Sequence, residues 1–462
     1  MKKKLSVTIV ALFFLALSFA MMPRKSSAIP AFSQKYHFSC AVCHTVFPNL
    51  NPFGRAFWRN GFRLPGTNGT PADATQIAQG LSLPNPWPIP IMLEPIISYQ
   101  HTTNENVSNQ TDPFGAGVDA VSAGSFNLYT PLAETMSFYV HLGVAAGGAM
   151  GDKQIFASIN GLGGGLGLPS HLFNLKLGQV TTASPYFYRQ MPFYLPDGPN
   201  GNGQGLNIGY DTEGGLLIHS RNAGFALYGT PGYHLWYKVS VTNDSTEGAG
   251  VHSGGEGTAL SATGDNAMEY SYQLKEYAPL PMGQLELGYY GAAVAEPVTA
   301  AGNTWTNRVL VNGADIDLAN AVYELGLTYM VQSDSNPYAM SGAKLPAGVT
   351  DTSNAYSTFE VYGRYTLPVM SNGIMLSADY AQYSWAHKDS QLAFINGANS
   401  TVDNVGLYGG ALLPGTSYNG VKDSLALEAE INLAYNAHLY LGYTITNQNE
   451  DNLLGTGLDF AF

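Results

Sequence analysis

The two cysteines of the chain lie three positions apart, in a pattern that predicts covalent haem attachment. Cys40-Ala-Val-Cys43-His44 has the C-x-x-C-H spacing of c-type haem sites. At this spacing two thiols reach the two vinyl groups of one haem, and the adjacent imidazole falls beneath the iron. We therefore predict one covalently attached haem c, held by Cys40 and Cys43, with His44 as the proximal ligand of the haem iron.

Other roles of a cysteine pair fit the surrounding sequence less well. A structural zinc site needs four Cys or His ligands, and the chain has no second cysteine pair. A thioredoxin-like pair follows a strand and opens a helix, whereas Pro30, Pro48 and Pro52 flank this motif. A disulfide between Cys40 and Cys43 would close a small, strained ring. The spacing therefore favours haem over these alternatives.

The second axial position of the iron has two methionine candidates. A Met ligand raises the potential of a haem relative to a His ligand, which suits an electron acceptor. Met191 lies beside Pro192 in an aromatic stretch, and Met92 lies on the polar face of the first predicted strand. His37 precedes His44 too closely along the chain to reach the opposite face of the haem. No residue outside the haem site is assigned a catalytic role.

The N-terminus has the features of an export signal. Lys2–Lys4 form a positive region, Leu5–Ala20 form an apolar core, and Ser26–Ala28 offer the small residues that a signal peptidase reads. We predict a signal peptide over residues 1–28, with an uncleaved N-terminal anchor as the alternative. Export brings the two cysteines into an oxidising compartment, where a free pair needs protection or a covalent partner.

The composition excludes several classes of protein. Charged residues make up 11% of the 462 residues, against about 25% in an ordinary soluble domain. Disordered chains are charge-rich and aromatic-poor, whereas this chain contains 29 Tyr and 53 Gly. The formal net charge of −13 argues against nucleic acid as a partner. Past the N-terminus no apolar run approaches the ~20 residues of a spanning helix.

An alternation of apolar and polar residues beyond residue 90 predicts β-strands. In Leu425–Leu433, apolar residues such as Leu427 alternate with Glu428 and Glu430. A soluble sandwich would bury the apolar face in a core, and an outer-membrane barrel would turn it toward lipid. The low charge, the abundant Tyr and Gly, the export signal and the terminal Phe462 favour the membrane. We predict an all-β protein, an outer-membrane antiparallel β-barrel of about 16 strands in contact with outer-membrane lipid.

These features divide the chain into four parts. They are a signal peptide (1–28), a monohaem c-type cytochrome segment (29–65), a Gly/Pro-rich linker (66–90) and a porin-like β-barrel (91–462). Polar, turn-rich stretches within the last part are candidate outer loops, because they are too polar to span a membrane. These stretches are Thr102–Ala123, Asn243–Asn266, Ser333–Thr352 and His387–Asn419.

The haem segment is too short to fold alone. Its roughly 37 residues rarely suffice to bury an apolar core, and a haem with an open face would lack a dry pocket. We therefore expect the downstream barrel to supply the missing wall, with the haem segment acting as a plug.

The residues around the haem motif form a second, wider pattern. It consists of Ala28-Ile-Pro-Ala-Phe32, Cys40-x-x-Cys43-His44, Pro48-x-Leu50, Phe53-Gly54-Arg55-x-Phe57 and Gly61. This pattern resembles the opening of the fused monohaem cytochrome–porins, the outer-membrane Fe(II)-oxidising c-type cytochromes of iron-oxidising bacteria. The resemblance implies extracellular Fe(II) as the electron donor and a periplasmic c-type cytochrome or other electron carrier as the acceptor. Cys40, Cys43 and His44 are the functional residues that carry over.

Two other functions remain open at this point. The chain could be a porin or channel in which the haem segment is a structural plug. It could also be a cytochrome that works in the opposite direction and passes electrons outward to an external acceptor. All three functions share the barrel and the export signal, and they differ in what crosses the membrane.

The dependence of the haem segment on the barrel is testable with a fragment. Residues 29–85 expressed alone should not form a stable haem fold with both axial ligands, because the apolar wall is missing. The absorption spectrum and thermal unfolding of the fragment measure this. A stable, fully ligated fragment would contradict the expected role of the barrel.

Overall fold

The computed structural model describes the haem motif, its neighbours and the strands of the barrel. The described residues are 36, 38, 40–46, 49–62, 64, 76–78, 81–82, 91–102, 110–130, 133–144, 150–169, 171–181, 221–243, 268–300, 303–335, 354–367, 373–387, 418–434, 437–446 and 453–460. The predicted signal peptide, Met191 and most of the predicted linker therefore lie outside the described residues.

The N-terminal part begins with short elements. They are α1 (Cys40–Cys43), β1 (His44–Val46), β2 (Asn49–Leu50), α2 (Pro52–Arg59), β3 (Gln76–Ala78) and β4 (Leu81–Ser82). β1 pairs with β2, and β3 pairs with β4, both antiparallel. Among the described residues, no helix has the length and hydropathy needed to cross a membrane.

Within the described ranges, sixteen antiparallel strands close into a barrel, with each strand paired to its neighbour along the chain and β20 paired to β5. This confirms the predicted all-β, antiparallel barrel of about 16 strands. The strands are β5 (Ile91–Thr102), β6 (Gln110–Thr130), β7 (Ala133–Val144), β8 (Met150–Asn160), β9 (Asn174–Thr181), β10 (Arg221–Gly229), β11 (Leu235–Asn243), β12 (Met268–Leu280), β13 (Gly283–Ala300), β14 (Asn303–Ala319), β15 (Tyr323–Asp334), β16 (Asn354–Leu367), β17 (Ile374–His387), β18 (Tyr418–Ala434), β19 (Ala437–Thr446) and β20 (Leu453–Phe460).

The outside of the barrel is apolar and its inside is polar. On β18, Leu427 is 43% exposed, whereas Glu428 and Glu430 are 6% and 0% exposed. β14 repeats this pattern, because Ile316 is exposed between the buried Asp315 and Asp317. Such an outer surface would be unfavourable in water and is favourable in lipid. The alternation therefore fits the membrane barrel rather than the soluble sandwich.

One predicted loop is wrong. The stretch Thr102–Ala123 was expected to be an outer loop, but β6 runs from Gln110 to Thr130 over 21 residues. Its many Gly, Ala and Ser residues are typical of turns, yet its backbone pairs with β5 on one side and β7 on the other. Pairing on both sides satisfies the backbone groups of β6, so the ladder overrides the weak strand propensity of small residues.

The other three predicted loops lie where strands end. β11 ends at Asn243, β15 ends at Asp334 and β17 ends at His387. The interiors of these three stretches lie outside the described residues.

The assignment of the apolar outer surface to lipid is testable by introducing a charged side chain there. Leu427→Arg near the middle of β18 should lower the free energy of unfolding by about 2–4 kcal/mol, because a cation is then exposed to hydrocarbon. Urea-induced unfolding of the protein in lipid vesicles, followed by tryptophan fluorescence, measures this. Leu427→Ala is the matched control, and an equal loss for Arg and Ala would contradict the lipid-facing assignment.

Candidate functional site

The haem motif is held rigidly against the helix that follows it. α1 places Cys40 and Cys43 on a single helical turn, and His44 begins β1 directly afterwards. The Asn51 backbone N–H donates to the Cys43 carbonyl at 2.8 Å, and its Nδ2 donates to the Val42 carbonyl at 3.0 Å. A Cβ on Gly54 would collide with the Cys43 carbonyl. The absence of a side chain at Gly54 therefore permits this close packing of α2 on α1.

α2 begins and ends at residues that suit helix termini. Asn51 is the N-cap, and its side-chain oxygen accepts from the Gly54 N–H at 2.9 Å, with Pro52 in the first turn. The chain leaves the helix through Gly61, which has φ +67°, and a side chain there would collide with Asn160 of β8. Ser137 of β7 donates to the Gly61 carbonyl at 3.3 Å. The end of α2 is thus attached to the barrel wall.

One face of α2 consists of two arginines, one turn apart, that contact inward-facing carboxylates. Arg55 pairs with Asp317 at 3.1 Å, with Glu286 at 3.5 Å and with Glu324. Arg59 binds both carboxylate oxygens of Glu286, at 3.3 and 3.0 Å. All five side chains are buried. Because the carboxylates belong to β13, β14 and β15, this network fixes α2 inside the barrel.

The network is balanced in charge. A third cation, Arg364 of β16, pairs with Glu324 at 3.2 Å, so three guanidinium groups face three carboxylates. Burial by itself lowers the pKa of Arg55, but Glu324, Asp317 and Glu286 raise this pKa well above its usual value. Arg59 also stacks over the rings of Tyr277 at 4.7 Å and Trp236 at 5.6 Å. The anchor network, defined here as the three arginines and the three carboxylates that pair with them, therefore consists of charged groups that compensate one another.

A second face of α2 is aromatic and continues to the barrel wall. Phe53 and Phe57 stack with ring centroids 6.5 Å apart. Phe57 contacts Phe62 at 6.1 Å, which stacks on Phe156 of β8 at 6.4 Å. Tyr36 and Phe38 extend this cluster on the side of the haem motif. The cluster therefore extends from the residues beside the C-x-x-C-H motif to β8 of the barrel.

The residues around C-x-x-C-H fit a covalently attached haem. Cys40 and Cys43 are the first and last residues of one helical turn, His44 follows directly, and Phe53 in the adjacent aromatic cluster is 37% exposed. The structure places the backbone of Met92 on β5 opposite Asp119 of β6. Met191 lies outside the described residues, so the two methionine candidates stay predictions. Across the described ranges, no three His, Cys, Asp or Glu side chains form a metal-binding group.

The anchor network was missed by the sequence analysis. Arg55 appears there only as part of the family-like pattern, and Arg59, Glu286 and Glu324 do not appear. A signal was present, because two arginines four positions apart interrupt an otherwise apolar helix in a chain with few charges. Their partners lie 227 to 269 residues away, so no local pattern pairs them.

Comparison with solved structures identifies the class of fold. OprB of Pseudomonas putida matches with a TM-score of 0.52 at 8% identity, over 80% of this chain and 93% of that protein. The channel DcaP of Acinetobacter baumannii (TM-score 0.48, 10% identity, 84% and 99% covered) and an anion-selective porin from Comamonas acidovorans (0.48, 10%, 80% and 99%) are also similar. No protein-family model and no curated protein matches the chain. The fold is that of an outer-membrane β-barrel of the porin type, with a helix inside it.

The anchor is testable by removing one guanidinium group. Arg55→Met should lower the free energy of opening of α2 by about 3–5 kcal/mol, because buried carboxylates are left without compensation. Hydrogen–deuterium exchange of the α2 amides measures this. Arg308→Met removes an exposed arginine of β14 and serves as the control. Unchanged exchange in Arg55→Met would contradict the anchoring role.

Proposed function

We propose that this chain is an outer-membrane cytochrome: a barrel that holds a haem-bearing segment in its interior and passes electrons from an extracellular donor to the periplasm. The supporting observation is the burial of inward-facing polar side chains on β15, β16 and β18. Glu360 and Glu430 are 0% exposed and Gln332 is 2% exposed, although all three point inward. In an open, water-filled channel such side chains would be hydrated.

A covered inner wall suits insulation better than permeation. An apolar band of ~25 Å separates the two sides of an outer membrane, and soluble carriers do not cross it. A haem segment inside the barrel shortens the distance that electrons must cross, while ions and metal stay outside. The Arg55 and Arg59 network keeps the segment at one position relative to the wall. A fixed position matters because electron transfer becomes steeply slower with distance.

The residues that would hold the haem are those of the motif. Cys40 and Cys43 would attach it and His44 would ligate its iron, with Met92 and Met191 as proposed candidates for the opposite side. The haem supplies one-electron exchange at its iron. The aromatic cluster around Phe53 and Phe57 offers an apolar surface beside the motif, and α2 orients the motif.

Fe(II) is the proposed donor, and a periplasmic c-type cytochrome or other carrier is the proposed acceptor. The support is the resemblance of the N-terminal pattern to the Fe(II)-oxidising cytochrome–porins. The net charge of −13 adds to it, because a negative field attracts a divalent cation. Oxidation at the outer surface would leave Fe(III), which precipitates near neutral pH, outside the cell.

The second candidate function is a porin or channel with a structural plug. The fold favours it more directly, because the barrel resembles outer-membrane porins. In that case the anchored helix restricts or gates permeation, and the haem has no part in electron transfer. An electron conduit that runs outward is a further variant of the first candidate.

Reduction of the haem by Fe(II) tests the first candidate. Mixing the oxidised, purified protein with Fe(II) in a stopped-flow instrument should produce the ferrous haem spectrum at acidic or neutral pH. His44→Met changes the axial ligand, so it should alter both the spectrum and the rate. Failure of the wild-type haem to be reduced across both pH ranges would overturn this proposal.

Conductance separates the two candidates. The cytochrome function predicts that the full-length protein in planar bilayers conducts far less than an open porin. Loss of the anchor in Arg55→Met should raise the conductance. A large open conductance of the wild type, together with a haem that Fe(II) does not reduce, would establish the porin function instead.

A further inference from the structure

Lys176 of β9 is a buried cation that faces α2. It is 8% exposed, and its Nζ lies 4.0 Å from the ring centroid of Phe156, 4.6 Å from Trp58 and 5.8 Å from Tyr228. These aromatic faces are its contacts, and within the described part of the chain it forms no hydrogen bond or ion pair. The other buried cations around α2 differ, because Arg55, Arg59 and Arg364 all pair with carboxylates.

The described residues around Lys176 supply no negative charge. The charged group that acts on it is the ammonium of Lys238 on β11, another cation. The hydroxyl of Tyr228 is already used, because it donates to Asn160 Oδ1 at 3.1 Å. Glu269 lies near Lys238, but no carboxylate of the described residues compensates Lys176. A buried ammonium is costly without an anion, and contact with aromatic rings offsets only part of that cost.

The position of Lys176 relates it to the haem motif. Gly54 and Trp58 are four residues apart, so they share one face of α2. Gly54 packs on the carbonyl of Cys43, and Trp58 carries the ammonium of Lys176 over its ring. Trp58 therefore lies about one helical turn, or ~5.4 Å along the axis, beyond Gly54, and the Lys176 ammonium lies 4.6 Å from the Trp58 ring. A porphyrin attached to Cys43 is wider than one helical turn.

We propose that Lys176 binds a propionate carboxylate of the haem attached to Cys40 and Cys43. This inference rests on the proposed function, since it needs the haem. The chemistry is complementary, because a haem propionate is a carboxylate and the buried Lys176 is an ammonium group. A cation at the propionates stabilises the reduced, less positive state of the haem, so Lys176 also sets the reduction potential.

The experiment compares two substitutions in the full-length protein. Lys176→Met removes the charge and keeps an unbranched side chain of similar length over the rings. Lys176→Arg keeps the charge and alters the hydrogen-bond donors. Three properties are measured: the covalent haem content, the reduction potential by optical titration, and the propionate-bending band in the resonance Raman spectrum.

The expected result separates charge from packing. Lys176→Met should keep the covalent haem, shift the reduction potential to a more negative value and shift the propionate band. Lys176→Arg should shift the band and keep the potential close to that of the wild type. If Lys176→Met does not fold, comparison of Lys176→Arg with the wild type still tests whether Lys176 binds the propionate, because a propionate band that does not shift would contradict the proposal.

Three results would overturn the proposal in distinguishable ways. If the wild type carries covalent haem and both variants have the same propionate band and potential as the wild type, Lys176 does not bind a propionate. The proposed cytochrome function would then still stand. A wild-type protein without covalent haem would remove both. A loss of stability in Lys176→Met with no change in potential would assign Lys176 to packing alone.

Discussion

The position of α2 depends on compensation of charge inside a barrel that lipid surrounds. Two arginines on a helix of eight residues meet three carboxylates of three neighbouring strands, and all of them are buried. Removing either set would leave charges that no solvent reaches, so helix and wall are stable only together. The same helix turns Gly54 toward Cys43 and its aromatic face toward Phe62. Fixing α2 therefore also fixes the motif that precedes it.

The barrel itself follows from the solvent on its outside. Backbone groups in hydrocarbon must all be paired within the protein, and a closed ring of strands achieves this without an edge. The period of two then separates the side chains, so that residues such as Leu427 meet lipid and residues such as Glu428 meet the interior. In an open porin this interior is wet. Here the described inward side chains Glu360 and Glu430 are buried, and Glu286, Asp317 and Glu324 pair with α2.

The porin-type fold and the haem motif lead to different functions when each is considered alone. The fold is shared with porins and channels, and fold does not determine function. The cysteine and histidine spacing indicates redox chemistry, but spacing does not say where the motif lies relative to the membrane. The anchored helix joins these two observations, since it places the motif beside the inner wall. An electron conduit uses both features, whereas a porin uses only the barrel.

The sequence by itself determined the features that depend on local spacing: the C-x-x-C-H motif and the alternation of Leu427 with Glu428. It misjudged β6, because Gly, Ala and Ser form strands only when partners on both sides complete the ladder. It did not pair Arg55 with Glu324, which lies 269 residues further along the chain. That pairing exists only after the barrel closes, because closure brings distant strands around α2 and burial makes each charge require a partner.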